Sequence, residues 1–488
     1  MSQTAIIIGQ RENCRQLERQ LDVLRDRPIS LGWVLTDHDD VADHLEDDAP
    51  TLGTIEQLEA IVARRRPALA IVSLPAVMTE LITTIRTRLR RLEIPDRFIA
   101  TLEDQLAGVG PRSVPQLDLS ALIDRSPRMI DQEAVRTLIK GKRVLITGAG
   151  GSIGGELSRI AATLEPAQLI LVDRSENALF EIDRQIARRA PDLPRRAVLH
   201  DVVEAEATKA QFQLVQPEVV FHAAAHKHVP LMEDHPAAAV DNNLFGTKSV
   251  VDAADAVGVE RFVMISTDKA VRPRSIMGMT KRLAERYVQF VSTRSETWFA
   301  TVRFGNVIGS AGSVLDTWAR QLAEGGPITV TDPQMTRYFM TIPEAAALVM
   351  QSAALLDAPS SAGTVFVLDM GEPLRIVDLA RRFIEAHGLD AQLPGAEVGP
   401  STLAGQMRIV FTGVRPGEKL HEQLAREPDA LEPTTHPDIL AVRLSEPDEA
   451  QIDQMLTELS PEHRSGDPVG VAAIVRRLIA TELHPAAA

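Results

Sequence analysis

The sequence predicts an α/β fold built on a doubly wound parallel sheet, preceded by a smaller α/β domain. Three observations lead to this prediction. A short apolar run, Val144–Thr147, precedes a glycine-rich turn and then a helical pattern. A second apolar run, Gln168–Val172, ends in the acidic residue Asp173. Strand-like and helix-like segments continue to alternate from Lys142 onward, which is typical of parallel sheets covered by helices.

The glycine-rich turn has the spacing G-x-x-G-x-x-G, and the helical pattern is predicted from Glu156 onward. Glycines allow a tight turn and a close approach of the backbone to a ligand, and a helix start offers free N–H groups to a pyrophosphate. The turn therefore predicts a Rossmann-type dinucleotide site. The expected cofactor contacts in this turn are Gly148, Gly151, Ser152, Ile153 and Gly154.

Asp173 lies about 20 residues beyond the turn, where such folds place the carboxylate that binds the adenosine ribose. This carboxylate favours NAD+, whereas the neighbouring Arg174 leaves NADP+ possible. The strand Arg195–Asp201 places Asp201 near the adenine, followed by Val202. Three small residues after the next strand allow close contact with the cofactor: Ala223, Ala224 and Ala225.

The whole composition limits the possible functions. The 488 residues suffice for two to four domains, and a net charge of −15 with a pI near 5.4 argues against non-specific nucleic-acid binding. The single cysteine, Cys14, permits no intrachain disulfide and suggests a reducing compartment. No signal peptide or membrane span is recognised, so the sequence predicts a soluble, cytoplasmic protein.

Residues 1–110 are predicted to form the smaller Rossmann-like domain, with strands at Ala5–Ile8, Leu31–Leu35 and Leu69–Ser73. The first loop, Gly9–Cys14, keeps one glycine and several bulky residues, so we favour a structural or regulatory module over a dinucleotide site. Residues 111–127 are the predicted linker, 128–425 the catalytic domain and 426–488 a helical tail.

Several histidines follow the strand Val219–His222. His226, His228, Glu233 and His235 come soon after it, and together they could suggest zinc. These residues straddle Pro230 in an apparent loop, and the cofactor already explains the site. We therefore predict no metal.

The next strand, Arg261–Ile265, delivers Thr267, Asp268 and Lys269 at its carboxyl end, which faces the ligand crevice in open α/β sheets. A helix predicted from about Ser275 carries a methionine and a lysine four residues apart, on one face: Met277 and Lys281.

These motifs resemble the extended short-chain dehydrogenase/reductase superfamily, which normally has a tyrosine where this chain has Met277. The run STDKAVRPRSIMGMTKR is similar to the polysaccharide-biosynthesis (CapD-like) nucleotide-sugar 4,6-dehydratases, in which methionine commonly takes that position. HAAAHKHVPLMEDHP, DNNLFGT, RFGNVIGSAGSV, TDPQMTRYFMTIPEA, LDMGEP and TGVRPGEKLHEQL resemble the same family in order. The resemblance covers about residues 120–425, and the lack of transmembrane helices resembles the soluble form.

The resemblance implies a UDP-N-acetylglucosamine 4,6-dehydratase, a lyase acting on a UDP-sugar with tightly bound NAD, or NADP. It implies that Asp268 acts at the departing carbon 6 hydroxyl and Lys269 is the base at carbon 5. Thr267 would bind the carbon 4 oxygen, and Lys281 the nicotinamide ribose. Because Met277 cannot take a proton, the carbon 4 hydroxyl proton goes to Asp268 directly or to a water that it orients.

The remaining motif residues are assigned by the same resemblance. Asn243 is expected at the cofactor, and we expect a homo-oligomer. The residues expected to bind the substrate are Lys227, His228, Arg303, Asn306, Arg337, Arg415 and Glu418.

Two other functions stay open from the sequence. A UDP-sugar epimerase would share the cofactor and the oxidation at carbon 4, although epimerases usually keep the tyrosine. A catalytically silent NAD(H)-binding regulator would explain the loss of the tyrosine, but not the intact Thr267-Asp268-Lys269 run.

Overall fold

The computed structural model divides the chain into two compact units. The first unit comprises Met1–Asp118 with Ile384–Ala391 and Gly395–Gln406, and the second comprises Leu119–Phe383, Gln392–Pro394 and Met407–Ala488. The structure describes residues 4–22, 28–36, 50–75, 78–92, 94–99, 101, 119–125, 128, 130–356, 363–394, 406–425, 431–461 and 467–483. Of the predicted linker, 111–118, 126 and 127 lie outside these residues, whereas Leu119–Leu122 is a helix of the second unit.

The first unit contains a five-stranded parallel sheet in the order β3-β2-β1-β4-β5, as the alternating pattern predicts. Its strands are β1 Thr4–Gly9, β2 Ile29–Leu35, β3 Thr51–Thr54, β4 Leu69–Ser73 and β5 Asp96–Phe98. Its helices are Arg11–Asp22, the 3₁₀ turn Ile55–Gln57, Leu58–Arg65 and Thr79–Arg91.

The turn after β1 is packed against its own sheet. A Cβ on Gly9 would lie 2.2 Å from the Ser73 carbonyl oxygen, and the buried Cys14 places its Sγ 3.4 Å from the same point. The glycine therefore permits close packing of β1 on β4. This packing favours the structural interpretation of the loop.

The second unit is organised around a nine-stranded sheet in the order β20-β21-β16-β11-β10-β9-β6-β7-β8. Seven strands are parallel, and β21 and β20 add to one edge antiparallel. The strands are β6 Arg143–Thr147, β7 Gln168–Asp173, β8 Arg195–Leu199, β9 Val219–His222, β10 Arg261–Ile265, β11 Trp298–Arg303, β16 Thr364–Leu368, β20 Leu431–Pro433 and β21 Ile439–Val442.

The strand order reverses between β6 and β9, so a crevice opens at the carboxyl ends of these strands. Shorter strands lie near this end: β12 pairs with β15, β13 with β19, and β14 with β17. Their bounds, with that of β18, are β12 Asn306–Ile308, β13 Ile328–Val330, β14 Thr336–Arg337, β15 Phe339–Thr341, β17 Leu374–Arg375, β18 Asp390–Gln392 and β19 Gln406–Phe411.

Helices cover both faces of the large sheet and enclose two apolar clusters. In chain order after Leu119–Leu122, all the helices described are Gln132–Ile139, Ser152–Ala162, Glu176–Arg189, Ala205–Val215, Val229–Asp234, Pro236–Ala239, Gly246–Val257, Ile276–Ser292, Val314–Ala323, Ile342–Ala354, Ile376–Ala386, Glu449–Leu459 and Pro468–Leu483, and the two that contribute no residue to either cluster are Val314–Ala323 and Ile376–Ala386. A π-helical stretch, Val240–Phe245, and a 3₁₀ turn, Asp268–Ala270, lie among them. No helix in these described ranges combines the length and apolarity needed to cross a bilayer.

The helix Ile276–Ser292, here called the central helix, is buried on nearly all sides. Helix Pro468–Leu483, here called the last helix, and helix Glu449–Leu459 pack beside it in one apolar cluster. The two C-terminal helices match the helical patterns of the predicted tail, whereas β20 and β21 were not predicted. These two C-terminal helices therefore belong to the core of the second unit.

Candidate active site

The backbone of the glycine-rich turn is packed too closely to admit side chains at two of its glycines. Gly148 has φ +64°, and a Cβ there would lie 2.8 Å from the Ala223 backbone. A Cβ on Gly154 would lie 2.1 Å from the Gly148 carbonyl oxygen. The helix begins at Ser152, four residues before the predicted start, with Gly151 as its N-cap. Its first backbone N–H groups have no partner within the helix, so this turn fits a phosphate.

Asp173 ends β7 beside this turn. Its carboxylate accepts hydrogen bonds from the N–H groups of Gly150 at 2.9 Å and Ser175 at 2.8 Å, which fix its orientation. Arg174 reaches in another direction, to Asn242 Oδ1 at 3.4 Å, the His226 ring and the Asp201 carboxylate at 3.7 Å. The two side chains are therefore held apart at the predicted adenosine end, where Asp201 also accepts from the Val203 N–H.

His222 is a buried structural histidine. Its Nδ1 lies 2.8 Å from Thr147 Oγ1 and its Nε2 3.0 Å from Thr247 Oγ1. Burial, together with the charge of Lys281, lowers the pKa of His222 to about 3, so the ring is neutral at physiological pH. In the described ranges no three His, Cys, Asp or Glu side chains form a group suited to a metal ion.

Asn243 connects two walls of the crevice. It lies in the π-helical stretch, its Oδ1 accepts from the His226 N–H at 2.8 Å, and its Nδ2 donates to the His226 carbonyl and to Thr280 Oγ1. Its amide thus fixes the loop after β9 against the central helix. Of the neighbouring predicted contacts, Ala223 and Ala225 line the crevice, whereas Val202 packs its side chain in the core.

Thr267, Asp268 and Lys269 form a bonded cluster at the end of β10. Thr267 Oγ1 donates to Asp268 Oδ1 at 3.0 Å, and Lys269 Nζ lies 3.0 Å from the same oxygen and 2.9 Å from Asn306 Oδ1. Asp268 is fully buried, and its Oδ2 has no hydrogen-bond partner among the described residues. Thr267 and Lys269 therefore face the crevice, with the carboxylate directly behind them.

Met277 and Lys281 face the same crevice from the central helix, each only a few per cent exposed. Ser275 caps this helix by accepting from the Gly278 N–H at 3.1 Å. Burial lowers the pKa of Lys281 to about 8, and the charge of Glu285, one turn further on, partly opposes this effect. None of the ion pairs within the described part of the chain includes Lys281.

The crevice is a cleft of about 750 Å³ that joins the glycine-rich turn to the Thr267-Asp268-Lys269 cluster. Both the predicted cofactor turn and the predicted catalytic residues therefore open into one space large enough for two ligands. Other predicted residues on its walls are Lys227, His228, Asn306, Arg337, Arg415 and Glu418.

The three arginines predicted to bind the substrate differ in their exposure and in their hydrogen-bond partners. Arg415 is exposed on the cleft wall, and the Glu418 carboxylate accepts from its backbone N–H. Arg337 also reaches the cleft, but its guanidinium donates to the carbonyls of Thr336, Lys419 and Leu420, so it holds the loop that carries Arg415. The assignment of Arg303 to the substrate is wrong.

Arg303 is 1% exposed and forms a two-pronged ion pair with the Glu285 carboxylate at 2.8 and 2.5 Å, away from the cleft. Glu285 was not predicted from the sequence, and neither were Arg274 and Lys419, which line the cleft. Lysine is scarce in this chain, so the presence of Lys419 inside the RPGEK motif could have indicated a residue of the site.

The loop 309–313 passes close to the glycine-rich turn. Its Ala311 N–H donates to Ser152 Oγ at 3.0 Å, and Lys227 Nζ donates to the Ala311 carbonyl at 2.7 Å. A Cβ on Gly312 would lie 2.9 Å from the His228 ring. Lys227 and His228 are thus engaged with this loop on the cleft wall.

The chain has clear relatives among known proteins. The model of a family described as "Polysaccharide biosynthesis protein" matches residues 144–444. The probable polysaccharide biosynthesis protein EpsC of Bacillus subtilis (strain 168) is 39% identical over 431 residues, covering 87% of this chain and 68% of that protein.

More distant relatives include two named enzymes. A UDP-N-acetylglucosamine 4,6-dehydratase (inverting) of Campylobacter jejuni subsp. jejuni serotype O:2 is 29% identical over 294 residues, 59% of this chain and 79% of that enzyme. A UDP-glucose 4-epimerase of Rickettsia canadensis (strain McKiel) is 30% identical over 295 residues, again 59% and 79%. Overall identity therefore does not separate these two reactions.

Proposed function

The chain belongs to the polysaccharide biosynthesis protein family, and on this premise we propose that it is a UDP-N-acetylglucosamine 4,6-dehydratase. The observation that carries the proposal is the bonded Thr267-Asp268-Lys269 cluster facing a methionine across the cleft. Elimination of water needs an acid and a base close together, and this cluster supplies both types. The named dehydratase relative supports the same reaction.

The cleft fits a dinucleotide at the glycine-rich turn, because a Cβ at Gly148 or Gly154 would collide with backbone there. Gly151, Ser152, Ile153 and Gly154 would hold its pyrophosphate, and Asp173 its adenosine ribose. A nicotinamide cofactor held by these residues would supply a hydride acceptor for carbon 4 and a hydride donor for carbon 6. Lys281 would hold the nicotinamide ribose, and its positive charge would favour ionisation of the carbon 4 hydroxyl.

The protein's own groups move the protons. Asp268 is fully buried, so it receives the carbon 4 hydroxyl proton through Thr267, whose hydroxyl lines the cleft and donates to Asp268 Oδ1. Lys269 removes the proton from carbon 5, which the ketone at carbon 4 has made acidic. Asp268 then returns the proton through Thr267 to the carbon 6 hydroxyl, which leaves as water, and Lys269 returns its proton to carbon 5.

Arg415 would bind the substrate pyrophosphate, since a guanidinium suits its paired oxygens. Glu418 and Arg337 would keep the Arg415 loop in place, and Asn306 would hold Lys269 for the carbon 5 step. The neighbouring cleft residues Lys227 and His228 would line the substrate side.

An epimerase is the second candidate, supported by the epimerase relative. The purified protein is incubated with a panel of UDP-sugars, and the masses of the products are measured by mass spectrometry. These masses distinguish a dehydratase, an epimerase and a silent regulator. A dehydratase product is lighter than its substrate by one water, an epimerase product has unchanged mass, and a silent regulator makes none. We expect the first outcome with UDP-N-acetylglucosamine, and a product of unchanged mass would overturn the proposal.

We expect the cofactor released by denaturing the purified protein to be mainly NAD+. The fixed Asp173 carboxylate can bind the two ribose hydroxyls and repels a 2′-phosphate, while Arg174 is occupied by Asp201, Asn242 and His226. Chromatography of the released nucleotide tests this expectation. Mainly NADP+ in the extract would contradict it.

We expect kcat to fall as the pH rises through about 8. The pKa of Lys281 is lowered to about 8 by burial, so its ammonium group, which favours ionisation at carbon 4, is lost above that pH. The pH profile of kcat provides the measurement, and Lys281→Arg is the matched variant because arginine stays charged. An alkaline limb that persists unchanged in an active Lys281→Arg protein would exclude Lys281 as its source.

A further inference from the structure

The central helix is fastened by a row of four buried charges, here called the charge chain: Arg303, Glu285, Arg282 and Glu482. Arg303 donates two hydrogen bonds to the Glu285 carboxylate. Arg282 Nη1 donates to the same carboxylate at 3.3 Å, and Arg282 Nη2 donates to the Glu482 carboxylate at 2.5 Å. The four side chains are between 0 and 11% exposed. Positive and negative side chains alternate along the charge chain, so its four charges sum to zero.

Glu285 is the point where three catalytic elements meet. It lies on the central helix, one turn after Lys281, and accepts from Ser266 Oγ at 2.6 Å and from Arg303. Ser266 immediately precedes Thr267-Asp268-Lys269, and Arg303 ends β11 just before Asn306, the partner of Lys269. One carboxylate therefore sets the helix that carries Lys281 against the strand end that carries Lys269.

The outer end of the charge chain belongs to the last helix. Glu482 pairs with Arg282 and lies 3.8 Å from Arg286. Earlier in the same helix, Arg476 lies 3.4 Å from Glu233, whose other oxygen accepts from the Ile276 N–H at the start of the central helix. The last helix thus holds the central helix at its start and at its middle, although the family match ends at residue 444.

Stability alone is a weak reason for such an arrangement, because a buried ion pair can often be replaced by apolar side chains without loss. Burial raises the pKa of Glu285, but Arg303, Arg282 and Ser266 outweigh it and hold the pKa at about 2, so the carboxylate is always charged. Its charge acts on Lys281 one turn away. Buried charges can fix the position of the central helix and place a negative charge near Lys281, whereas apolar side chains could not provide that charge.

We propose that the charge chain is a positioning device of the active site, and that Glu482 of the last helix is its outer anchor. The inference rests on the proposed function, because it assigns to Glu285 and Glu482 the task of placing Lys281 and Lys269 for that reaction. Neither carboxylate lines the cleft, so both act through the residues that do.

The first test is Glu482→Gln in the full chain, with Arg477→Gln as the matched control. Arg477 also lies on the last helix, but it pairs with Glu458 of the neighbouring C-terminal helix and not with the central helix. We expect Glu482→Gln to lower kcat about 10-fold or more with little change in KM, because small misplacements of reacting groups are costly. Arg477→Gln should keep wild-type kcat, and Glu482→Asp should recover part of the loss.

The second test is the pH profile of Glu285 variants. Of the charged and titratable groups near Lys281, Glu285 on its own helix raises its pKa, His222 from β9 is affected by its charge, and Lys269 at the strand end lines the same cleft. Glu285→Gln removes a negative charge that raises the pKa of Lys281, so the alkaline limb of kcat should move to lower pH. Glu285→Asp keeps the charge and should leave the limb near its wild-type position.

Three outcomes separate the claims. Wild-type protein that makes no product refutes the proposed function. Active wild type with a folded Glu482→Gln variant of unchanged kcat, or a folded Glu285→Gln variant with an unmoved limb, refutes the positioning role. If Glu285→Gln or Glu482→Gln does not fold, the aspartate variant at the same position is tested instead, with circular dichroism to check folding and kcat to measure activity. Full wild-type activity in a folded aspartate variant would refute the positioning role, because the shorter side chain moves the carboxylate.

Discussion

Replacing Lys269 with methionine should stop turnover while still allowing carbon 4 to be oxidised. Lys269 Nζ lies 3.0 Å from Asp268 Oδ1 and 2.9 Å from Asn306 Oδ1, so the proposed base is held in a fixed position on the cleft wall. Without it the carbon 5 proton stays in place, and reduced cofactor accumulates. The measurements are the absorbance of NADH after addition of UDP-N-acetylglucosamine and the exchange of the carbon 5 hydrogen in deuterated water.

Asp268→Asn should lower kcat by about 100-fold or more, the usual effect of removing a positioned acid or base. The asparagine keeps the size of the side chain but can neither receive the proton from Thr267 nor supply it to the leaving hydroxyl. Met277→Leu is the matched control in the same cleft, because methionine only packs there and leucine has a similar volume. Equal losses in Met277→Leu and Asp268→Asn, or normal exchange in Lys269→Met, would show these roles to be misassigned.

Gly154→Ala should abolish cofactor retention. The added Cβ would lie 2.1 Å from the oxygen and 2.7 Å from the carbon of the Gly148 carbonyl group, so the turn must open where the pyrophosphate would be bound. The free energy of unfolding should also fall, by about 1–3 kcal/mol, as is usual when a packed site is overfilled. The nucleotide content of the purified variant and its denaturant midpoint are the measurements.

The adjacent Gly155 offers a control for that substitution. The nearest atom to a Cβ at Gly155 is the Ala149 carbonyl oxygen at 3.4 Å, an ordinary contact, and alanine is favoured over glycine inside a helix by about 0.5–1 kcal/mol. Gly155→Ala should therefore keep its nucleotide and its stability. Retention of nucleotide by both variants would mean that the turn tolerates a side chain at Gly154, against the packing described above.

The conformation of the glycine-rich turn and its position beside Asp173 could be predicted because their determinants are local in sequence. The strand, the glycine spacing and the acid at Asp173 all lie within about one βαβ unit, and each residue type has a backbone or charge reason. The Thr267-Asp268-Lys269 cluster was likewise predictable from its place at a strand end. The helix start was predicted four residues late, because the glycines at 154 and 155 hide the helical pattern.

The errors came from partners that are distant in sequence. Arg303 lies in a motif that resembles substrate-binding residues, but its partner is a carboxylate on the central helix, and no local pattern distinguishes the two roles. β20 and β21 have three and four residues, too few for an alternating pattern to be recognised. The apolar pattern of the last helix predicts its existence but does not identify the surface that it covers.

The burial of the central helix also has a consequence for the order of folding. Arg282 and Glu482 are 200 residues apart, so the charge chain closes only when the last helix has been made. Until then the growing chain exposes the apolar face of the central helix and the open edge of β16. Contacts this distant form slowly and leave intermediates prone to aggregation. We therefore expect refolding to regain secondary structure before activity, with the last step set by docking of the C-terminal helices.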